Sequence, residues 1–282
     1  MIKIFADSTS DFSKELAERY DIGIIPLFIC MDGKYYRDGV DISRDDIFKW
    51  SDETGKTPGT SAPSIEDVVK YFRPYVEKGD DIFYFAISEE MSTSANVARL
   101  AAGELDYEDH VFVIDTMSLS TGNALLVIKA SEMAAEGYPS GTIYNRILDL
   151  RSHVRASFVV DTLTFLSRGG RCGAATALIG NAIKLKPRIE VIEGKMEASK
   201  KYRGSSDRVI NHYVTDMKAD ILRADPSRVF ITHTVTEGDS VARVRQFLEE
   251  LNYFDEILET EAGGVISSHC GPGTLGVLYI EK

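Results

Sequence analysis

The sequence predicts an α/β protein of two domains, a mainly parallel α/β domain over residues 1–155 and an α+β domain over residues 156–282. In the first half, short apolar segments alternate with helical patterns, which is typical of a parallel sheet. In the second half, a hairpin is mixed with helices, which is typical of an α+β domain. The 282 residues suffice for two hydrophobic cores, and no low-complexity linker separates them.

The chain begins with a predicted strand, Ile2–Phe5, that leads into a polar turn and a helix. A second apolar strand, Ile22–Ile29, contains Pro26, which indicates an edge or irregular strand. The loop Thr57–Ser64 contains two prolines and a glycine, so we expect no regular structure in it. The other elements predicted in this half are a hairpin at Asp32-Gly33, helices over Ser43–Trp50, 65–76, Gly122–Glu136 and Gly141–Arg155, and a strand over Val111–Ile114.

The most informative segment of the first half is Ile82–Leu105. Its apolar run Ile82–Ile87 predicts a buried strand, and the alanine-rich residues after Ser94 predict a helix. Ser92 stands in the hydroxyl-rich turn between them, where it either caps the helix or helps to bind an anion at the helix N-terminus. Similar hydroxyl turns follow the strands ending at Phe5 and Ile114, so all three are expected at one edge of the sheet, where ligands bind in α/β folds.

The second half begins with a strand around Phe158, which leads to a glycine pair flanked by Arg168 and Arg171. A turn at Glu193-Gly194-Lys195 predicts a β-hairpin. The elements predicted elsewhere are helices over Thr176–Leu185, Ser205–Leu222 and Ser240–Leu251, strands over Val229–Thr232, Glu256–Thr260 and Val277–Ile280, and a turn over Ser267–Thr274.

Composition excludes several classes of protein. The net charge of −12 argues against nucleic-acid binding, and no apolar run reaches the roughly 18 residues of a membrane span. Three cysteines without metal or disulfide spacing, and an N-terminus without a signal-peptide pattern, favour the cytoplasm. The segment Arg151–Arg208 carries a net charge of +7 inside this acidic chain, which indicates a surface for a phosphate or an acidic partner.

Five short motifs occur in a defined order along the chain. They are DSTSD over residues 7–11, TSAPS over 60–64, SEEMSTSA over 88–95, GGR over 169–171 and HCGPG over 269–273. In order and spacing they resemble the DegV family of bacterial fatty-acid-binding proteins, whose members show DSTxD-like, TSQPS-like, SSxLSGTY-like, GGR and HxGPG-like motifs. This chain differs in having Ala62 in place of glutamine and 93–95 (Thr-Ser-Ala) in place of Gly-Thr-Tyr.

The resemblance implies a long-chain fatty acid buried between the two domains. It assigns the fatty-acid carboxylate to hydroxyl side chains and a histidine, so that the expected binding residues are Thr60, Ser61, Ser92 and His269. It further implies that the protein presents the carboxylate to a separate ATP-dependent kinase and carries the acyl phosphate without catalysing the reaction itself. Arg168, Arg171 and Arg203 would then face the phosphate or the kinase. No metal or other cofactor is implied.

The sequence disfavours two other function classes, a hydrolase and a nucleotide-binding protein. Ser92, His269 and Asp7 are the residue types of a hydrolase triad, but no Gly-x-Ser-x-Gly elbow surrounds Ser92. Nucleotide binding is disfavoured because neither a P-loop nor a Gly-x-Gly-x-x-Gly turn follows a predicted strand.

Overall fold

A computed structural model of the chain describes residues 1–173, 175, 185–234 and 238–282. The strands of the first half are β1 (Ile2–Asp7), β2 (Ile22–Ile25), β3 (Phe28–Met31), β4 (Lys34–Arg37), β5 (Gly59–Ser61), β6 (Asp81–Ala86) and β7 (Val111–Asp115). The helices of this half are α1 (Lys14–Arg19), α2 (Arg44–Thr54), α3 (Ile65–Val76), α4 (Ser94–Glu104), α5 (Thr121–Ala135) and α6 (Ser140–Leu150). Helices α2 and α3 each begin with a capping box, built on Ser43 and Ser64.

The first half contains a parallel sheet of order β2-β1-β6-β7 and a small antiparallel sheet of order β4-β3-β5. The predicted parallel α/β arrangement is therefore confirmed, and β2 is an edge strand. The predicted strand Ile22–Ile29 is divided between the two sheets, because Pro26 has no N–H with which to continue the pairing.

The second half contains strands β8 (Val154–Val159), β9 (Leu185–Ile192), β10 (Lys195–Arg203), β11 (Ala224–His233), β12 (Glu256–Glu261) and β13 (Leu275–Glu281). Its described helices are α7 (Thr164–Gly169), α8 (Ser206–Asp216), α9 (Lys218–Ile221), α10 (Ser240–Leu251) and α11 (Gly264–Cys270). The six strands form one mixed sheet of order β10-β9-β8-β13-β11-β12, in which only the β11–β12 pair is parallel. This sheet confirms the predicted α+β character.

Helix α5 lies between the parallel and the mixed sheets. It is buried over residues 121–128 and packs against β1, β6, β8 and β13. Its leucines share one core cluster with Phe85 of the parallel sheet and Leu278 of the mixed sheet. The two halves therefore share apolar core, while the predicted division at residues 155 and 156 stays a prediction.

Several predicted elements differ from the structure. Helix α6 ends at Leu150, and β8 begins at Val154, where it pairs with Ile280 of β13. The predicted helix Ser205–Leu222 is interrupted at Met217, whose buried side chain packs into the core around α8. The predicted helix Thr176–Leu185 lies outside the described residues, except for Leu185, which begins β9.

Two corrections concern residues of the predicted site. Residues 59–61 form strand β5 because the free edge of β3 pairs with them, Thr60 opposite Ile29. Residues 264–270 form helix α11, so His269 lies in the last turn of a helix and not in an open turn. The N–H groups at the start of α11 are satisfied by Asp11 and Asp38, from distant parts of the chain.

Candidate functional site

A cavity of about 460 Å³ lies at the carboxyl edge of the parallel sheet. The turn after β6 lines it with residues 87 and 89–93, and the chain after β1 and β7 adds Thr9 and Leu119. Strand β5, helix α11 and strand β10 supply the opposite wall through Thr60, His269 and Met196. Its size lies within the roughly 300–1,000 Å³ of small-molecule sites. The cavity is thus enclosed by elements from both halves of the chain.

Thr60 and His269 form a hydrogen-bonded pair in this cavity. Oγ1 of Thr60 lies 2.8 Å from Nε2 of His269. Burial, and secondly the nearby positive charge of Arg171, lower the pKa of His269 to about 4. The imidazole is therefore neutral at pH 7, and its Nδ1 atom has no hydrogen-bond partner among the described residues.

Ser92 lies in the turn that precedes helix α4. Its Oγ atom accepts a hydrogen bond of 3.2 Å from the N–H group of Ser94, the first residue of the helix. The hydroxyl group of Ser94 in turn donates to Oδ2 of Asp7 at 3.1 Å. Ser92 therefore satisfies a first-turn N–H and also lines the cavity, so the capping and binding roles are compatible.

The Gly169-Gly170-Arg171 motif packs against His269. Gly170 ends helix α7 with a φ of 71°, which favours glycine. A Cβ atom on Gly169 would lie 2.3 Å from Nδ1 of His269, so only glycine allows this approach. Arg171 lines the cavity, and its Nη1 atom donates to the carbonyl of Gly169 at 2.8 Å.

The structure brings together five of the seven predicted site residues, because Thr60, Ser61, Ser92, Arg171 and His269 all line one cavity. Arg168 is exposed and donates to the carbonyl of Gly55 at 2.9 Å, outside the lining. Arg203 ends β10, and Met196, which lines the cavity, lies seven residues earlier, about 23 Å away at strand spacing. A contact of Arg168 or Arg203 with a kinase stays a prediction.

The hydrolase triad is not assembled. Asp7 accepts hydrogen bonds from Thr9, Ser94 and the N–H group of Ile87, whereas His269 pairs with Thr60. The residues the structure describes also include no cluster of three or more His, Cys, Asp or Glu side chains that could hold a metal ion.

Several polar residues of the lining were not predicted as site residues, among them Thr9, Glu89 and Glu90. Glu89 forms an ion pair with Arg99 at 2.5 Å, and Glu90 forms one with Lys195 at 3.5 Å. Thr9 lies inside the DSTSD motif, and this motif could have identified it as a site residue. The two glutamates occupy the polar turn after β6, where only the hydroxyl residues were considered.

A comparison with protein families matches the DegV family over residues 1–282. The chain belongs to the DegV family. Solved structures agree with this assignment. A fatty-acid-binding DegV family protein from Thermus thermophilus is 32% identical, with a TM-score of 0.89 over 100% of this chain and 99% of that chain. A stearic-acid-binding protein from Eubacterium ventriosum is 28% identical, with a TM-score of 0.84 and the same coverage.

A third solved structure extends the likeness in fold. The fatty acid kinase B3 protein of Streptococcus pneumoniae, loaded with linoleic acid, is 20% identical to this DegV chain, with a TM-score of 0.84 over 100% of both chains. At this identity the likeness shows the fold alone. Separately, no helix in the described part of the DegV chain combines the length and apolar character needed to cross a membrane.

Proposed function

We propose that the chain binds a long-chain fatty acid in the cavity and presents its carboxylate to a separate kinase. The observation that carries the proposal is the convergence of Thr60, Ser61, Ser92 and His269 on one cavity whose other walls include Leu27, Ile87, Leu119 and Ile266. Polar donors at one place and apolar side chains around them suit a ligand with a charged head and an apolar tail. Fatty-acid binding by the Thermus and Eubacterium relatives supports the same assignment.

The head group requires several hydrogen-bond donors. A carboxylate that leaves water without donors is strongly disfavoured, and each charge-assisted hydrogen bond contributes about 1.5–3 kcal/mol. If Nε2 of the neutral His269 carries the ring hydrogen, it donates to Thr60 and leaves the Thr60 hydroxyl hydrogen for the carboxylate. Ser92 and Ser61 supply further hydroxyl donors from neighbouring turns.

The apolar tail provides the remaining affinity. Each buried CH₂ contributes about 0.8 kcal/mol, so a long chain is favoured over a short one. Ile87, Leu119 and Ile266 of the cavity wall belong to a buried apolar cluster that also includes Phe158. We assign the tail to this apolar region.

The kinase step is assigned to the exposed side of the cavity. Arg171 is exposed and lines the cavity beside His269, so an acyl phosphate formed on the carboxylate would meet its guanidinium. The family resemblance of the five sequence motifs supports a kinase partner. The protein then acts as a carrier, and the chemistry belongs to the partner.

Binding measurements with hydroxyl variants test the proposal. Thr60→Ala and Ser92→Ala should each weaken binding of a fluorescent fatty acid about tenfold or more, because each removes a charge-assisted hydrogen bond. Thr215→Ala, which removes a hydroxyl from the exposed face of α8, is the matched control. Unfolding curves establish that the variants are folded. Unchanged affinity in both site variants would show that these hydroxyls do not bind the head group.

A further inference from the structure

Asp7 is a buried acid directly behind the proposed head-group site. It ends β1 and is completely buried. Oδ1 accepts the hydroxyl hydrogen of Thr9 at 2.5 Å, and Oδ2 accepts from the N–H group of Ile87 at 2.9 Å and the hydroxyl of Ser94 at 3.1 Å. Among the described residues no Lys or Arg pairs with it. The proposed function does not use this acid.

The ionisable groups facing Asp7 cannot neutralise its charge. Tyr84 of β6 lies near Asp7. Asp11, at the end of the turn after β1, is a second carboxyl group near Asp7, and Asp38 lies near Asp11. The surrounding hydrogen bonds lower the pKa of Asp7, but burial outweighs them and raises it to about 6. Asp7 therefore ionises close to neutral pH.

Thr9 connects Asp7 to the cavity. Its side chain is buried and lines the cavity wall. A threonine hydroxyl has one hydrogen, and ionised Asp7 can only accept. While Asp7 is ionised, the Thr9 hydrogen points at Asp7, so Thr9 offers the cavity only its lone pairs. A bound carboxylate would meet an acceptor there, with a second negative charge behind it.

We propose that Thr9 is a further binding residue for the ligand carboxylate and that Asp7 switches it on by taking up a proton when the ligand binds. This inference rests on the proposed function. A proton from solvent bonds to Oδ1 of Asp7, and the new O–H group donates to Oγ1 of Thr9. The Thr9 hydroxyl then turns its own hydrogen to the ligand. Asp7 and the ligand together carry one negative charge, as expected for two neighbouring carboxyl groups.

The inference predicts a defined pH dependence. At pH 7 Asp7 of the ligand-free protein is mostly ionised, so fatty-acid binding is accompanied by uptake of at most about 0.9 proton per chain. At pH 5 Asp7 already carries its proton, and proton uptake on binding approaches zero. Affinity should fall as the pH rises above 6, by up to about tenfold per pH unit. His269 does not produce this pattern, because its pKa of about 4 lies below this range.

Calorimetric titration of the delipidated full chain with decanoate tests the inference. Titrations at pH 7 in phosphate and in imidazole, whose ionisation enthalpies differ, give the number of protons bound. Asp7→Asn should bind decanoate without proton uptake, with affinity at pH 7 equal to or above wild type, because its amide donates to Thr9 as a protonated acid does. Asp11→Asn is the matched control: Asp11 is also buried, but its carboxylate accepts from Ser120 and Gly263 and not from Thr9, so uptake should persist.

A second pair of variants, at Thr9, tests the inference if either asparagine variant fails to fold. Thr9→Val should weaken decanoate binding at pH 7 about tenfold, and Thr9→Ser, which keeps the hydroxyl, should restore it. Wild-type binding without proton uptake, or uptake unchanged in Asp7→Asn, overturns the inference, as does an unchanged affinity in Thr9→Val. Absence of binding of both decanoate and oleate at both pH values is a separate outcome, which refutes the proposed function and this inference with it.

Discussion

Gly169→Ala places one methyl group against the His269 ring. The added Cβ atom would lie 2.3 Å from Nδ1 and 3.1 Å from Cε1, whereas ordinary contact begins at 3.4 Å. The ring must therefore move by about 1 Å. Because Nε2 lies on the far side of the imidazole, this movement drives it into Oγ1 of Thr60, only 2.8 Å away, and the hydrogen-bonded pair must rearrange.

The expected cost has two parts. Overpacking of this kind destabilises a protein by about 1–3 kcal/mol. Misplacing the Thr60 hydroxyl removes one charge-assisted hydrogen bond to the ligand, about 1.5–3 kcal/mol, which weakens fatty-acid binding about 10- to 150-fold. Urea unfolding measures the first effect, competition with a fluorescent fatty acid measures the second, and the ¹⁵N chemical shifts of His269 report the loss of its hydrogen bond.

Gly141→Ala is the matched control. Gly141 lies in helix α6 with open space around its Cα, so the substitution should leave binding unchanged and stabilise the protein by up to about 1 kcal/mol. Wild-type affinity and an unaltered His269 signal in Gly169→Ala would show that the glycine does not position the histidine.

Two further predictions concern His269 and Arg171. The folded-state pKa of His269, about 4, is depressed below the roughly 6.5 of an unfolded chain, so its contribution to stability is complete above pH 6.5 and is lost as the pH falls toward 4. Between pH 7 and pH 5 urea unfolding should show wild type losing about 2 kcal/mol relative to His269→Gln, a difference that leaves out the other titrating groups common to both proteins. The same pH response in both proteins would contradict the buried neutral state. Arg171→Ala should spare fatty-acid binding but slow phosphorylation by the partner kinase, with the exposed Arg146→Ala as control. Normal phosphorylation of the fatty acid bound to Arg171→Ala would show that Arg171 does not contribute to the kinase step.

Local sequence patterns predicted the alternating strands and helices and their common ligand-binding edge. The apolar run Ile82–Ile87 and the alanine-rich residues after Ser94 are strong local signals, and they placed Ser92 correctly at the sheet edge. Strand β5 was missed because nothing within residues 57–64 favours a strand. Its pairing comes from β3, some thirty residues earlier in the chain.

Helix α11 and the charge state of Asp7 depend on distant residues. Two glycines begin the helix, and their N–H groups are satisfied by Asp11 and Asp38, so no local start signal exists. The raised pKa of Asp7 follows from complete burial, which a polar turn sequence does not suggest. Arg203 matched a family motif, yet its position at the far end of β10 could not be read from motif spacing.

Mass spectrometry of the gently purified, intact chain tests the central claim most directly. Under native conditions the account predicts a mass increase of one long-chain fatty acid per chain, and denaturation should release that acid in roughly equimolar amount. The same measurement on Thr60→Ala and Ser92→Ala should show reduced occupancy. A chain that carries no lipid after purification, and that gains none when incubated with fatty acids, would contradict the account.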